Sequence, residues 1–511
     1  MDRSRPHPPR FRWLIRLSIA VAAVLPAVAG LRAYWGHVMH RQLEAAAAEV
    51  RAAGEPIDFE GMLREPVPDA DNAAHHYRQA AAAWPRVDDP TTGTSRLIID
   101  TDWHRDPGQH DDPIADNAAY LDGLDAALAL LREAATAPDV DWGVRIGSSA
   151  LTVYLPHLAE SRGYTRLIDD AAQRAHDAGR HDLALELVEH LLALADAVEA
   201  PPQTLIIRLV GISIRATAVR RLERLTPTLQ LGDAPGAASP EHVDRLIAHL
   251  LDEDAWRAGF RAGYVGERWA NHDTVMAIYD GRASWSYVLG GSSGGASDVA
   301  WLRNLFIGPL IMREATATLR WHKAHLGAIE VGHTRSQYTE HMATHAPFDV
   351  DDLDRQPWRH PLLGLLLPAL DSAVNTDFRS RTNQLMAATA LAIRRFELDH
   401  GHRPAALDEL IPAYLPHGPR DPLAAGDEPI RYRPGGALVR INPDAWSPDP
   451  VNESDLPRPA ILYSVGTNQV DHGGLLTFDG DGKIDESLRY REGDQYFMLD
   501  PWPDPRREPS P

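Results

Sequence analysis

The chain has 511 residues, of which 44% are hydrophobic and 24% charged, a composition typical of a folded protein with several domains. Its 72 acidic and 51 basic residues give a net charge of −21, which argues against nucleic acid as a partner because phosphate binding needs clustered Lys and Arg. The absence of cysteine excludes disulfides, lipidation at a cysteine, thiol catalysis and cysteine-ligated zinc.

The first predicted element is an apolar helix over residues 17–31, bounded by Arg16 and Arg32. As a helix it would span about 22 Å, less than a hydrocarbon core of ~30 Å. Two interpretations are open. Small residues at 27–29, directly after Pro26, are typical of a signal-peptide cleavage site. Aromatic residues on both sides are typical of a retained anchor. These residues are Phe11, Trp13, Tyr34 and Trp35.

The arginine-rich stretch 1–16 predicts the topology of this segment. Because positive charge stays on the cytoplasmic side, everything after residue 36 is expected to lie outside the cytoplasm. For a retained anchor, the predicted location is the cell inner membrane, crossed once.

Most of the following 310 residues show the 3.6-residue periodicity of amphipathic helices. Helices are predicted at 37–55, 72–84, 114–137, 205–225, from 240 onward, and at 254–280, 299–329 and 333–346. Two more, within 164–202, join at 178–180 and resemble one tetratricopeptide-type hairpin, although no second copy follows at that repeat's period. Residues 85–113 are predicted to form an exposed loop.

One candidate nucleophile lies in the loop at 291–295. Its sequence, GSSGG, fits the G-x-S-x-G pattern, which would make Ser293 the nucleophile with a later histidine as base. A strand-like run at 284–290 precedes it and a predicted helix follows, as a nucleophile elbow requires. A flexible Gly/Ser loop explains the same residues, since this region lacks the alternating strands and helices of such hydrolases.

A candidate metal-binding pair is His341 and His345, one turn apart on a predicted helix. This spacing can ligate zinc, but the HMATH sequence lacks the glutamate that follows the first histidine in metalloproteases. A packed or solvated histidine-rich face is the alternative interpretation.

The C-terminal part begins with a strongly helical pattern at 362–400, interrupted near Pro368 and ended by Gly401. A short helix, ALDELIPAYL, follows. Strands are predicted at 429–433, 437–441, 460–465 and 475–478, and residues 500–511 are predicted to be a disordered tail.

Four segments in this region carry a resemblance to a known family. In chain order they are MAATALAIRRFELDHGHRP, ALDELIPAYL, PRDPLAAGDEPIRYRP and ILYSVGTNQVDHGG. Over about 376–486 the chain thereby resembles the globular head of the major pseudopilins of type II secretion, which implies a small α+β head. Residues 1–36 lack a prepilin leader, so pilus assembly is not implied.

The resemblance also implies calcium in the loop after the last matched strand. The positions that match are Asn468, Asp471, Asp479, Asp481 and Asp485. Residues 479–486, DGDGKIDE, concentrate oxygen ligands around glycine, as hard cations prefer. A solvated Asp-Gly turn is the alternative interpretation.

Together these patterns predict a mainly α fold. It has a basic stub and membrane helix at 1–36, a large multi-helix domain at 37–370, a small pseudopilin-like α+β domain at 371–499 and a tail at 500–511. The functional hypothesis is a membrane-anchored, extracytoplasmic interaction or structural protein of the bacterial cell envelope, with envelope proteins as partners. The alternative is an extracytoplasmic hydrolase, serine or metal dependent.

Overall fold

The structure, a computed structural model, describes residues 10–58, 60–62, 64–88, 95–97, 119–145, 149–283, 300–356, 359–442, 452–479, 481, 484 and 493–501. The described helices are α1 (Arg10–Ala52), α2 (Ala73–Ala83), α3 (Asp125–Thr136), α4 (His157–Asp177), α5 (His181–Val198), α6 (Leu205–Leu225), α7 (Pro240–Leu251), α8 (Glu253–Asp280), α9 (Ala300–Val331), α10 (Arg335–His345), α11 (Val350–Arg355), α12 (Leu363–Leu366) and α13 (Pro368–His400). The described strands are β1 (Arg86–Asp88), β2 (Ser95–Leu97), β3 (Arg431–Arg433), β4 (Leu438–Ile441), β5 (Ile461–Ser464), β6 (Leu475–Phe478) and β7 (Gln495–Met498).

Most helices lie where the periodicity predicts them. α6 has the predicted bounds, and α4 and α5 meet at 178–180 as expected. α7 begins at Pro240 because the Ser239 side chain accepts a hydrogen bond from the backbone N–H of His242 at 3.1 Å. α13 ends at Gly401, whose φ of 75° is the left-handed conformation that glycine adopts without strain. The mainly α prediction is therefore confirmed.

The N-terminal half of the chain differs from the prediction in three places. The apolar segment at 17–31 and the next predicted helix form one element, α1, which continues through Pro26. Whereas α2 lies where it was predicted, capped by the Asn72 side chain, the helix predicted at 114–137 is interrupted by a turn at 123–124, after which α3 begins. Within the predicted loop at 85–113, β1 and β2 pair antiparallel, and residues 89–94 and 98–113 lie outside the described residues.

The largest apolar core joins the helices α2–α7 to α13 and to the C-terminal sheet. Its members include Ala171, Leu187, Leu222, Leu246, Leu391 and Leu462, each with at most 1% of its surface exposed. α13 thus belongs to the same core as the helices that precede it and the strands that follow it. The predicted domain boundary between 370 and 371 stays a prediction.

A second core is aromatic and joins α8, α10 and α13. Trp256, Phe260, Tyr264, Tyr338 and Phe378 lie in a chain of contacts with ring centroids 5.3–6.1 Å apart. Tilted and edge-to-face geometries of this kind are the favoured arrangements of aromatic rings.

Two small sheets make up the C-terminal end. β3, β5 and β7 form an antiparallel sheet in the order β3-β5-β7, and β4 pairs with β6 in parallel. The predicted strands β3–β6 are confirmed, whereas β7 was not predicted. Residues 502–511 of the predicted tail lie outside the described residues.

A buried carboxylate, Asp421, joins the turn before β3 to the end of β5. Its Oδ1 accepts hydrogen bonds from the Ser464 hydroxyl at 2.8 Å and the Leu423 N–H at 3.0 Å, and its Oδ2 accepts from the Val465 N–H at 3.2 Å. Burial raises the pKa of Asp421, and the three hydrogen bonds together with Arg431 oppose that shift. The side chain is therefore a polar cross-link within the part of the chain that contains β3–β7, the C-terminal unit.

We predict that Asp421→Ala lowers the free energy of unfolding by about 3 kcal/mol, because it leaves three buried donors without an acceptor. Asp427→Ala is the matched control, since Asp427 pairs with Arg420 on the surface, where such a pair contributes about 1 kcal/mol or less. Thermal or urea unfolding of the two variants makes the comparison. Equal losses would contradict the role assigned to Asp421.

Candidate functional site

The first half of α1 is apolar and exposed. Its large apolar side chains each have at least 40% of their surface exposed: Trp13, Leu14, Ile15, Leu17, Ile19, Val21, Val24, Leu25, Val28, Leu31, Tyr34 and Trp35. Among the described residues, α1 is the one helix long and apolar enough to cross a membrane. The finding is compatible with a membrane anchor, and a signal sequence has the same features.

The second half of the same helix is part of the protein core. Leu43, Ala46, Ala47 and Val50 are 5–7% exposed and belong to one cluster with Ile311, Ala315 and Leu319 of α9. On the surface beside them, Lys323 donates to Glu49 at 2.7 Å. α1 therefore passes from an unpacked apolar stretch into a packed one with no intervening loop.

An ionic clamp holds the segment that follows α1. The Glu55 carboxylate pairs with two arginines of α8, Arg261 and Arg268, and the Pro56 carbonyl accepts from Arg268 at 3.0 Å. Arg268 is 2% exposed, so its charge depends on Glu55 for compensation. The chain leaving α1 is thus fixed by buried charge as well as by apolar contact.

A second buried ionic network lies where α5, α6 and α13 meet. Arg208 donates two hydrogen bonds to Oδ1 of Asp377, at 2.9 and 2.7 Å, and one to Oε2 of Glu199 at 2.5 Å. Glu199 also pairs with Arg215, whose guanidinium reaches Asp196 at 2.6 Å. Arg208 is 1% exposed and Asp377 is fully buried. This network ties the long C-terminal helix α13 to the helical body.

Glycines on two helices make room for these side chains. A Cβ added to Gly211 would overlap Oε1 of Glu199, and one added to Gly259 would lie 2.5 Å from Nη1 of Arg208. Any larger residue at either position would displace the network.

Two effects on the pKa of Asp377 oppose each other in this network. Burial raises the pKa of Asp377 to about 6, while the two hydrogen bonds from Arg208 favour the carboxylate. At neutral pH Asp377 is therefore ionised and paired. Arg208, Glu199 and Asp377 have left water, so the network is sensitive to the loss of any one of these three.

Several histidines are buried in neutral form. Burial lowers the pKa of His325 to about 3, and its Nδ1 is hydrogen-bonded to the Tyr338 hydroxyl at 2.6 Å. His157, also fully buried, stacks on Trp142 with ring centroids 5.5 Å apart. Burial first and then the Arg78 charge lower the pKa of His157 to about 4. Neither ring nitrogen of His157 has a hydrogen-bond partner among the described residues.

The two catalytic hypotheses receive no supporting geometry. Ser293 lies outside the described residues. The His341 and His345 rings stack 4.0 Å apart, and Nδ1 of His345 lies 3.0 Å from the His341 carbonyl oxygen. Burial and the neighbouring His345 lower the pKa of His341. The pair is on one helix face as predicted, half-buried to exposed, and among the described residues no third metal-binding side chain joins it.

The predicted calcium positions are only partly described. Asp471 pairs with Arg431 at 3.1 Å and accepts from the Gly473 N–H at 2.7 Å. Asn468 and Asp479 each accept a backbone N–H two residues on, from Val470 and from Asp481. Asp485 lies outside the described residues. The described members thus form turns of the Asx type, and calcium at these positions stays a prediction.

A shallow surface groove of about 370 Å³ lies between α3 and α5. Its charged residues include Arg132 and Glu186, which form a bidentate salt bridge with N–O distances of 2.5 and 3.0 Å. Paired charges of this kind line the groove without leaving it strongly acidic or basic.

The sequence interpretation missed both ionic clusters. One signal was available: Arg208 interrupts the apolar run LIIRLVGI of α6, where an exposed arginine would not be expected. Its partner Glu199 lies nine residues before it, on the other side of a helix boundary, and Asp377 lies 169 residues after it, where spacing could not reveal it.

Comparisons with models of protein families, with curated proteins and with solved structures find no match to this chain. The pseudopilin resemblance stays a prediction.

We predict that Asp377→Ala lowers the free energy of unfolding by about 3–5 kcal/mol, because it leaves Arg208 buried with half of its compensation. The double variant Arg208→Met/Asp377→Leu should lose less than Asp377→Ala, since the pair Glu199–Arg215 remains balanced. Exposed Asp352→Ala is the control, as its partner Arg355 is 3.8 Å away on the surface. Urea unfolding of the detergent-solubilised chain measures all three. A lower free energy of unfolding for the double variant than for Asp377→Ala would contradict this account.

We predict that stability falls as the pH is lowered from 7 to 5 and that His157→Phe reduces this fall. The folded-state pKa of His157, about 4, is below its unfolded value, so its contribution is complete above pH 6.5 and is lost as pH decreases. At pH 5 this effect of His157 lowers the free energy of unfolding by about 2 kcal/mol, calculated from about 1.36 kcal/mol per pKa unit. Exposed His402→Phe is the control. Unfolding curves with the same pH slope for His157→Phe and the unaltered chain would refute the assignment.

Proposed function

We propose that this protein is a membrane-anchored, extracytoplasmic interaction or structural protein of the cell envelope. The observation that carries the proposal is the continuity of α1. Its exposed apolar half has the composition of a membrane segment, and its other half is a core element beside α9. A cleaved signal peptide needs no such continuation into a folded core.

The charge distribution supports the orientation. Residues 1–16 contain five arginines and one aspartate, whereas the whole chain has a net charge of −21. Positive charge next to a membrane segment remains in the cytoplasm, which places the acidic body outside it. In this proposal the anchor crosses the inner membrane once.

The pairing of the buried charged side chains favours a structural or interaction role over hydrolysis. Glu55 and Arg208 have ion-pair partners within the protein, and Oδ1 of Asp377 is paired with Arg208. A metal-dependent hydrolase needs at least three metal-binding side chains around one point, and among the described residues none joins His341 and His345. The large helical surface would then serve contacts with other envelope proteins.

The C-terminal unit belongs to the same proposal. Helix α13, the short 3-10 helix Leu407–Leu410 and the strands β3–β6 follow in the order that the pseudopilin resemblance implies. In this proposal the unit is a pseudopilin-like tip, and calcium at Asp471, Asp479 and Asp481 would stabilise it. Its rigidity would come from the core that α13 shares with the helical body.

We predict that Val24→Arg releases the protein from membranes. An arginine at the centre of a membrane helix costs about 2.5–3.5 kcal/mol, enough to impair insertion of a short apolar segment. Glu44→Arg is the matched control, because Glu44 is an exposed residue of the same helix beyond the apolar half. Resistance of the membrane fraction to alkaline carbonate measures the effect.

Topology is read in the same strains from a C-terminal alkaline phosphatase fusion, which is active only outside the cytoplasm. The proposal expects carbonate resistance and phosphatase activity for the unaltered chain and for Glu44→Arg. An unaltered chain that is soluble in the cytoplasm with its N-terminus intact would overturn it.

A further inference from the structure

Helices α1 and α9 run parallel to each other over a constant register. Near the start of the contact, a Cβ on Gly36 would lie 3.9 Å from the Pro309 ring. Thirteen residues further along α1, Glu49 accepts from Lys323 at 2.7 Å. The two contacts differ in residue number by 273 and 274, so both helices advance together in the same direction. Leu43 and Ala46 of α1 and Ile311 and Leu319 of α9, members of one buried apolar cluster, lie between these two contacts.

This register places the start of α9 beside the apolar half of α1. α9 begins at Ala300, nine residues before Pro309, or about 14 Å at 1.5 Å per residue. With the same offset, residues 300–304 are level with 27–31 of α1, and residues 305–308 are level with 32–35. The first two turns of α9 therefore extend to the level of the last apolar turn of α1 and of its aromatic pair, Tyr34 and Trp35.

The composition of these turns suits a lipid boundary. Residues 300–308 read AWLRNLFIG, with two aromatic residues, several aliphatic ones and a single cation. Aromatic residues are enriched where the hydrocarbon core meets the headgroups. The headgroup layer on each side is roughly 6 Å thick. The start of α9 is level with residue 27, which lies about 6 Å along the helix from residue 31, the end of the apolar segment. Tyr34 and Trp35, at the same level on α1, are 68% and 40% exposed.

We propose that the first two turns of α9, residues 300–307, form a second contact with the membrane, in the outer headgroup and upper acyl region. The inference rests on the proposed function, since it takes α1 as the spanning segment. With two parallel helices entering the lipid boundary at one point, the body is held at a fixed orientation to the membrane plane. The partner is the lipid surface.

The natural absence of cysteine permits a direct test. In the full chain, reconstituted in nanodiscs of phosphatidylcholine and phosphatidylglycerol, each residue from 301 to 306 is replaced in turn by cysteine and spin-labelled. Collision rates with oxygen, which concentrates in lipid, and with a water-soluble nickel chelate are measured by electron paramagnetic resonance. Val24→Cys is the lipid reference, and Arg320→Cys, exposed further along α9, is the water reference.

The proposal expects oxygen-to-nickel ratios several-fold above the Arg320 site at positions that repeat with the helical period within 301–306. If the oxygen-to-nickel ratio exceeds that of the Arg320 site at the Val24 site but at none of the six positions, the second contact is refuted and the anchor stands. If the Val24 site also matches the Arg320 site, the membrane anchor itself is refuted, and this inference fails with it.

Discussion

The packing of the second half of α1 against α9 is the constraint on which the rest of the structure depends. Full burial of a leucine or valine stabilises by about 1.5–3 kcal/mol, and Leu43 and Val50 are both nearly buried. Because the helix has no break between this half and its apolar half, any force on the apolar segment is transmitted to the core. The Glu55 clamp on Arg261 and Arg268 fixes the chain directly after that point.

Buried charge distinguishes the interior from that of an ordinary helical protein. Arg208, Glu199 and Asp377 join three helices at one point, and the small size of Gly211 and Gly259 is what admits them. An ion pair of this type adds little net stability compared with apolar packing. It does penalise any arrangement that separates the partners. We therefore interpret the network as fixing the position of α13, and with it the C-terminal unit, relative to the helical body.

Local rules predicted much of the fold and little of the polar interior. The bounds of α6, the Ser239 cap and the end of α13 at Gly401 follow from periodicity and capping, which operate within a few residues. Strand β7, with four residues that are all buried, was not predicted, and its pairing with β5 defines it. The ionic networks were missed because Asp377 and Glu55 meet their arginines across 169 or more residues, so no single segment contains the whole pattern.

The central claim is that one continuous helix is both membrane segment and core element. Double electron–electron resonance between spin labels at Val24→Cys and Arg320→Cys, in the full chain in nanodiscs, tests it most directly. Since residue 320 is level with residue 47 of α1, the account predicts one narrow distance distribution near 35 Å, from about 1.5 Å per helical residue. A broad distribution, or a second population at shorter distance, would show a joint between the two halves and contradict the account.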